Sequence, residues 1–215
     1  EHFACPISIA GEATLSLQAE RWIGVAKGVD NALFVQLGVG VGAGLLVDGV
    51  IQHGADGAAG EIGLMPYPVS RPDGSLELTS LESLASGAAL KRRGSALAAT
   101  PAGAQLLALA SGDPAAVDAA TVFAAARADD AAARGLIDEQ ITYLAWGLSC
   151  LACALNPRQI IVGGGLSRSA DLFFDALRDR VNATVPFAPD WFLSALGDEA
   201  VALGKERGYA QTLFG

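Results

Sequence analysis

Two glycine turns carry the chemistry most legible in this chain. Gly38-Val39-Gly40-Val41-Gly42-Ala43-Gly44 and Gly163-Gly164-Gly165 each follow an apolar run. Backbone stripped of side chains can approach a phosphate or a planar ring, and successive N–H groups can form an anion-binding nest. Gly38, Gly40 and Ala43 fit the G-x-G-x-x-G/A spacing of a dinucleotide site. The residues that follow, Leu45-Leu46-Val47-Asp48-Gly49-Val50, continue as strand and hairpin, so no helix N-terminus faces a pyrophosphate. A plain tight hairpin and a phosphate nest both fit this spacing. The second turn leads from a buried strand into a helix, whose dipole favours an anion; a closely packed strand-to-helix turn fits it equally. Two such turns in one chain point to a nucleotide-type cleft.

Other reactive side chains are sparse. Cys150-x-x-Cys153 lies in an apolar helix with no second pair nearby and reads as packed core, not as a metal site. Cys5 completes a set of three cysteines, too few for a disulfide framework, which points to a reducing, cytoplasmic setting. His53 falls in a hairpin and is expected to be exposed. The longest basic run is Lys91-Arg92-Arg93, and the net charge is −9, so this chain lacks the electrostatic footprint of a nucleic-acid surface. The N-terminus shows no signal-peptide pattern, and the longest uncharged stretches fall short of a membrane span.

The elements that must position the turns follow from hydrophobic period. With 215 residues, 52% hydrophobic and 17% charged, the chain can bury a sizeable core. A short strand at Pro6 to Ala10 and a helix from Glu12 to Trp22 open it. Ala32 to Leu37 is a strand, and Gly44 to Val50 a second one with an Asp48-Gly49 hairpin signal. Nine of the 26 glycines fall between Gly38 and Gly63, so backbone conformation dominates that segment. Prolines and Asp73-Gly74 mark Met65 to Leu78 as an irregular loop. Helices fill Ser80 to Asn156, with breaks at Gly87, Thr100-Pro101 and Gly112-Asp113-Pro114, and Ser111 or Asp113 as a cap. A strand at Gln159 to Val162, a helix from Ser167 to Asn182, a strand at Trp191 to Ala195 and a helix from Glu199 to Leu213 complete an α/β pattern with a mixed sheet.

Four blocks together resemble the ROK family of repressors, open reading frames and kinases. They are Gly38 to Gly44; Gly57-Ala58-Ala59-Gly60-Glu61-Ile62-Gly63; Leu81-Glu82-Ser83-Leu84-Ala85-Ser86-Gly87; and Asn156-Pro157 with Ile160-Ile161-Val162-Gly163-Gly164-Gly165-Leu166-Ser167. The resemblance implies an actin-like ATPase fold, that of sugar kinases, heat-shock proteins and actin, with two α/β lobes and a sugar and nucleotide between them. It further implies that residues 1–28 and 197–215 belong to an incomplete first lobe and 29–196 to the second. The family's opening Asp-Gly-Gly-Thr-type loop, and the helix-turn-helix of its regulators, would lie upstream of Glu1.

Site residues carry over one at a time. Aligning Glu20-Arg21-Trp22 with the family places Gly11-Glu12-Ala13-Thr14 on its Asn-Asp-Ala-Asn catalytic segment, so Glu12 takes the position of the base that accepts the sugar hydroxyl proton. Its extra methylene moves the carboxylate by about 1 Å, and a first-turn helix acid favoured by the dipole is the competing reading. Glu61 and Glu82 match the glutamates that bind sugar hydroxyls. Gly38, Gly40, Gly42, Gly163, Gly164 and Gly165 match nucleotide-binding backbone. The family's zinc-binding histidine is Leu64 here, and its three zinc-loop cysteines are Asp73, Ser75 and Ser80, so no zinc is expected. Val39 replaces a threonine whose hydroxyl reaches a phosphate.

These losses favour the sugar-sensing effector part of a ROK transcriptional regulator, which binds a hexose or amino sugar and reaches DNA only through an upstream helix-turn-helix. The alternative is an ATP-dependent sugar kinase of glucokinase or N-acetylmannosamine kinase type, with Glu12 as base and ATP and Mg as cofactors. A scaffold that has lost both ligands is a third reading. The resemblance also implies a homodimer.

Overall fold

The computed structural model describes residues 10–206. Its strands are β1 (Ala32–Leu37), β2 (Val41–Val47), β3 (Val50–Gln52), β4 (Pro66–Ser70), β5 (Leu76–Ser80), β6 (Gln159–Gly163) and β7 (Asp190–Leu193). Its α-helices are α1 (Glu12–Ile23), α2 (Leu81–Ala85), α3 (Gly87–Ala98), α4 (Ala104–Leu109), α5 (Ala119–Arg127), α6 (Ala131–Leu155) and α7 (Phe174–Asn182), and residues 200–206 are also helical. Five strands form one mixed sheet in the order β3-β2-β1-β6-β7. β1 runs antiparallel to β2 and parallel to β6, the two pairings that bring both glycine turns to the same end of the sheet.

Both faces of that sheet are covered, which explains why β1 and β6 are continuous apolar runs instead of alternating ones. Leu33, Val35, Leu37, Ile160 and Val162 enter the larger core beneath the later helices. Ala32, Phe34, Leu46 and Ile161 point the other way, against Ala13 and Leu17 of α1. Asp48 and Gly49, with φ of 48° and 75°, make the tight turn between β2 and β3 that the Asp-Gly pair predicts.

Several expectations need correction. Residues 65–78 are not an irregular loop: β4 and β5 pair as an antiparallel hairpin from Pro66↔Ser80 to Ser70↔Leu76. The Arg71 amide donates to the Ser75 carbonyl and the Leu81 amide to the Met65 carbonyl, so the odd-numbered residues of β4 occupy the bonded positions. Pro66 and Pro68 fall between them, where no N–H is needed. Asp73-Gly74 is the hairpin's turn, with Gly74 at φ 81° and the Asp73 carboxylate accepting from the Ser75 amide. Tyr67 fastens the hairpin to α6 by edge contacts with Tyr143 and Trp146, at centroid distances of 5.1 and 4.9 Å.

Cys150 and Cys153 are exposed, not packed. The buried stripe of α6 runs through Ile137, Ile141, Leu144, Leu148 and Ala152, and the two thiols lie off that phase. The segment after Gly165 is a 3₁₀ turn over Gly165–Leu172, kinked at Ser169, and the α-helix starts only at Phe174. The second strand starts earlier than expected, at Val41, and the chain resumes as β3 after the turn. Asp113 caps only the short 3₁₀ turn at Pro114–Ala116, and Ser111 caps nothing. The helix beyond is capped by Asp118, whose carboxylate accepts from the Thr121 amide while the Thr121 hydroxyl accepts from the Asp118 amide. An additional break at 128–130 separates α5 from α6. The expected opening strand, apart from Ala10, and the end of the last helix lie outside the described residues.

Gly44 sets the seat of α1. A Cβ there would stand 2.5 Å from the Ala13 carbonyl oxygen and 2.9 Å from Leu17 Cβ, so a side chain would push the helix off the sheet. Gly44→Ala is therefore expected to lower stability by about 1–3 kcal/mol, read as a fall in the urea midpoint at unchanged slope. An unchanged midpoint would show that the packing at this contact yields freely.

Candidate functional site

The close seat of α1 places its N-terminus at the rim of the sheet. Gly11 caps that helix without a side-chain bond, and Glu12 occupies the first turn, where the helix dipole favours a carboxylate. Glu61 is held from the opposite side. The Ala43 amide donates to the Gly60 carbonyl at 2.7 Å, and only glycine fits there, because φ is 94° and a Cβ would lie 1.9 Å from the Ala43 oxygen. That contact docks the 57–61 loop on β2 and leaves the next residue, Glu61, exposed. Glu82 stands in the first turn of α2, capped by the Ser80 hydroxyl, which accepts from the Ser83 amide. Its Oε2 accepts from the Val41 amide at 3.0 Å, which leaves Oε1 unpartnered among the described residues.

All three glutamates line one cleft of about 510 Å³, together with Gly38, Gly40 and Gly42. Thr14 and Gln36 add a hydroxyl and an amide to its wall, and among the described residues no basic side chain lines it. The Gln36 Oε1 atom is buried without a partner among the described residues. Such a wall, rich in carboxylate acceptors, suits a ligand with several hydroxyl donors. Glu12 can take a proton from a hydroxyl held there.

The glycine turn is shorter than its sequence suggests and is tied down on two sides. The Gly38 amide donates to the Gly40 carbonyl at 3.0 Å. The carbonyls of Gly38 and Val39 accept from the Gly87 and Ala88 amides at 2.8 and 3.2 Å, fastening the turn to the start of α3. Gly38 and Val39 also line a second cavity of about 430 Å³, so the two spaces adjoin at this turn. Its other walls are the first turns of α3 and α5, with Gly165 and Leu166.

The three consecutive glycines divide in function. A Cβ on Gly163 would lie 2.4 Å from Phe34 Cζ and one on Gly164 would lie 2.4 Å from the Leu37 carbonyl oxygen, so both back onto β1. Gly165 alone of the three lines the cavity, with open space where its Cβ would be. Because a kinked 3₁₀ turn follows it, no regular helix dipole is aimed at the cavity from here, contrary to the sequence expectation.

Leu64 is 72% exposed and outside the cleft wall, and His53 is exposed as expected. Asp73 and Ser75 bond to each other in the hairpin turn, and Ser80 caps α2, so the expected zinc-loop positions serve local structure. Among the described residues no group of three or more His, Cys, Asp and Glu side chains is placed to hold a metal ion, and no helix is long and apolar enough to cross a membrane.

Sequence reasoning did not single out Lys91 or Asp118 as part of the site. Both line the second cavity. The Thr121 amide and hydroxyl, with a smaller effect from Lys91, hold the Asp118 carboxyl below its ordinary value and keep it ionised. The spacing of Lys91 four residues after Gly87 places both on one face of α3, but that spacing alone does not separate Lys91 from its basic neighbours.

Known proteins are similar to this chain in sequence and in fold. A glucokinase of Halalkalibacterium halodurans is 31% identical over 213 residues, covering 95% of this chain and 63% of its own length. A xylose repressor of Caldicellulosiruptor bescii is 27% identical over 209 residues, 95% of this chain and 52% of the repressor. The crystal structure of a ROK family glucokinase from Streptomyces griseus in complex with glucose and AMPPNP superposes with a TM-score of 0.79 at 28% identity, covering 93% of this chain and 66% of that one. This chain thus spans about half to two thirds of the length of these relatives and has the actin-like ATPase fold of ROK sugar kinases. The ROK family model matches residues 1–205, and the chain belongs to the ROK family.

Proposed function

We propose that this chain forms the sugar cleft and the nucleotide side of an ATP-dependent ROK sugar kinase. The observation that carries this reading is the placement of Glu12, Glu61 and Glu82 on one cleft that meets a second cavity at the glycine turn. Transfer from a nucleotide to a hydroxyl needs two adjoining spaces and a base beside the acceptor. Glu61 and the free Oε1 of Glu82 accept hydroxyl hydrogen bonds and orient the sugar. Glu12 takes the proton of the attacking hydroxyl as its oxygen bonds the γ-phosphorus, and the bond to the leaving ADP oxygen breaks. ATP would supply the phosphoryl group, and Mg²⁺ would enter with it on its phosphates and offset their charge. The open space at Gly38 and Gly165 gives the nucleotide room beside the backbone.

Under this proposal residues 1–28 and 197–215 belong to a first lobe and 29–196 to a second, and the assembled protein is a cytoplasmic homodimer. A second reading, the sugar-sensing effector domain of a regulator, is favoured by Val39, whose side chain is 84% exposed at the turn and offers no hydroxyl to a phosphate. It would reach DNA through a helix-turn-helix upstream. A hexose or amino sugar is the ligand class in both readings.

An ADP-release assay on the full-length protein across a panel of hexoses and amino sugars separates them. Sugar-dependent ADP release is expected. Thermal stabilisation by a sugar without ADP release would replace the kinase with the sensor, and neither response would remove both.

A further inference from the structure

We propose that Lys91 supplies the counter-charge for the phosphates of a nucleotide seated in the second cavity. The inference rests on the nucleotide reading and adds a residue to it.

Much of the backbone at the helix starts that face this cavity is already committed. The start of α3 faces it, yet the first three amides of that helix are committed: Gly87 and Ala88 donate to the glycine turn, and Ala89 donates to the Ser86 hydroxyl at 3.1 Å. At the start of α5, the Thr121 amide is taken by Asp118. The kinked 3₁₀ segment after Gly165 offers no regular helix terminus. A polyanion entering a chain of net charge −9, beside a cleft walled by carboxylates, gains from a cationic side chain in addition to the Mg²⁺ it carries.

Among the described residues lining the two cavities, Lys91 is the one cation. Its neighbours in the basic run are occupied. Arg92 donates to the Ser83 carbonyl, while Arg93 pairs with Glu139 at 2.7 Å and lies 5.7 Å from the centre of the Tyr143 ring. Lys91 is exposed and forms no salt bridge with another described residue. Of three consecutive basic residues, two hold α3 in place and the third faces the cavity. An ammonium on a flexible stem suits a point contact to phosphate oxygens, while Asp118 keeps negative charge on the same wall and disfavours a phosphate on its side.

The test is calorimetric titration of full-length protein with ADP and, separately, adenosine, both in Mg²⁺, for the wild type, Lys91→Ala and Lys91→Arg. Lys91→Ala is expected to weaken ADP binding by about 10- to 100-fold, the loss of one charge-assisted hydrogen bond. Adenosine binding should stay within about twofold, and Lys91→Arg should recover most of the ADP affinity by returning the charge. Wild-type ADP affinity in Lys91→Ala, or an equal loss for adenosine, overturns the role of Lys91 and leaves the nucleotide reading standing. A wild type that binds neither ligand overturns both.

Discussion

Replacing Glu12 with glutamine is expected to lower sugar-dependent ADP release by about 10²- to 10⁴-fold, the range that a positioned general base contributes. Glutamine keeps the size of the side chain and its place in the first turn of α1 but cannot accept the hydroxyl proton. Glu61 and Glu82 remain to hold the sugar, so KM should move by no more than a few fold while kcat falls. Glu12→Asp withdraws the carboxylate by about 1 Å, and a partial loss of kcat is expected if reach limits the transfer. Steady-state kinetics of full-length protein provide the check. An unchanged kcat in Glu12→Gln would reduce Glu12 to a helix-terminal acid.

The largest effect on stability is expected at a different carboxylate. Glu20 is completely buried near the C-terminal end of α1. Its Oε2 accepts from the Val25 amide at 2.9 Å, and its Oε1 accepts from the Ser194 hydroxyl at 2.6 Å and the Leu196 amide at 3.2 Å. One side chain thus joins α1 to the segment that leaves β7. Glu20→Ala strands three donors and opens a cavity, which should cost about 3 kcal/mol or more. Glu20→Gln should cost less, because the amide oxygen still serves one side while the NH₂ group opposes a donor on the other. Urea unfolding measures both, and equal midpoints for Glu20→Ala and the wild type would show that water replaces the carboxylate freely.

The parts of the fold legible in the sequence are those in which residue type and environment agree. The continuous apolar runs of β1 and β6 announce strands covered on both faces, and Asp48-Gly49 announces the turn between β2 and β3. The β4–β5 hairpin was hidden because proline reads as a breaker, whereas here Pro66 and Pro68 occupy positions whose N–H would point away from the partner strand. The thiols of α6 misled for another reason. Their apolar character says nothing of phase, which Leu144 and Leu148 fix. The three glutamates were legible through family motifs, and the structure places them on one cleft. Lys91 was not, because nothing in a basic triplet says which members are already engaged.

The fastening of the glycine turn has a consequence for how two ligands would sense one another. Val39 and Val41 flank the same turn, one bonded to α3 through Ala88 and the other to Glu82 of α2. A sugar that pulls on the Glu82 carboxylate therefore loads the strand leaving the turn, and a phosphate that settles on the turn loads that same carboxylate. Under the proposed function their binding energies would be coupled through a single peptide segment, with no need for a distant relay. Thermodynamic reciprocity then requires that whatever factor the sugar applies to nucleotide affinity, the nucleotide applies to the sugar.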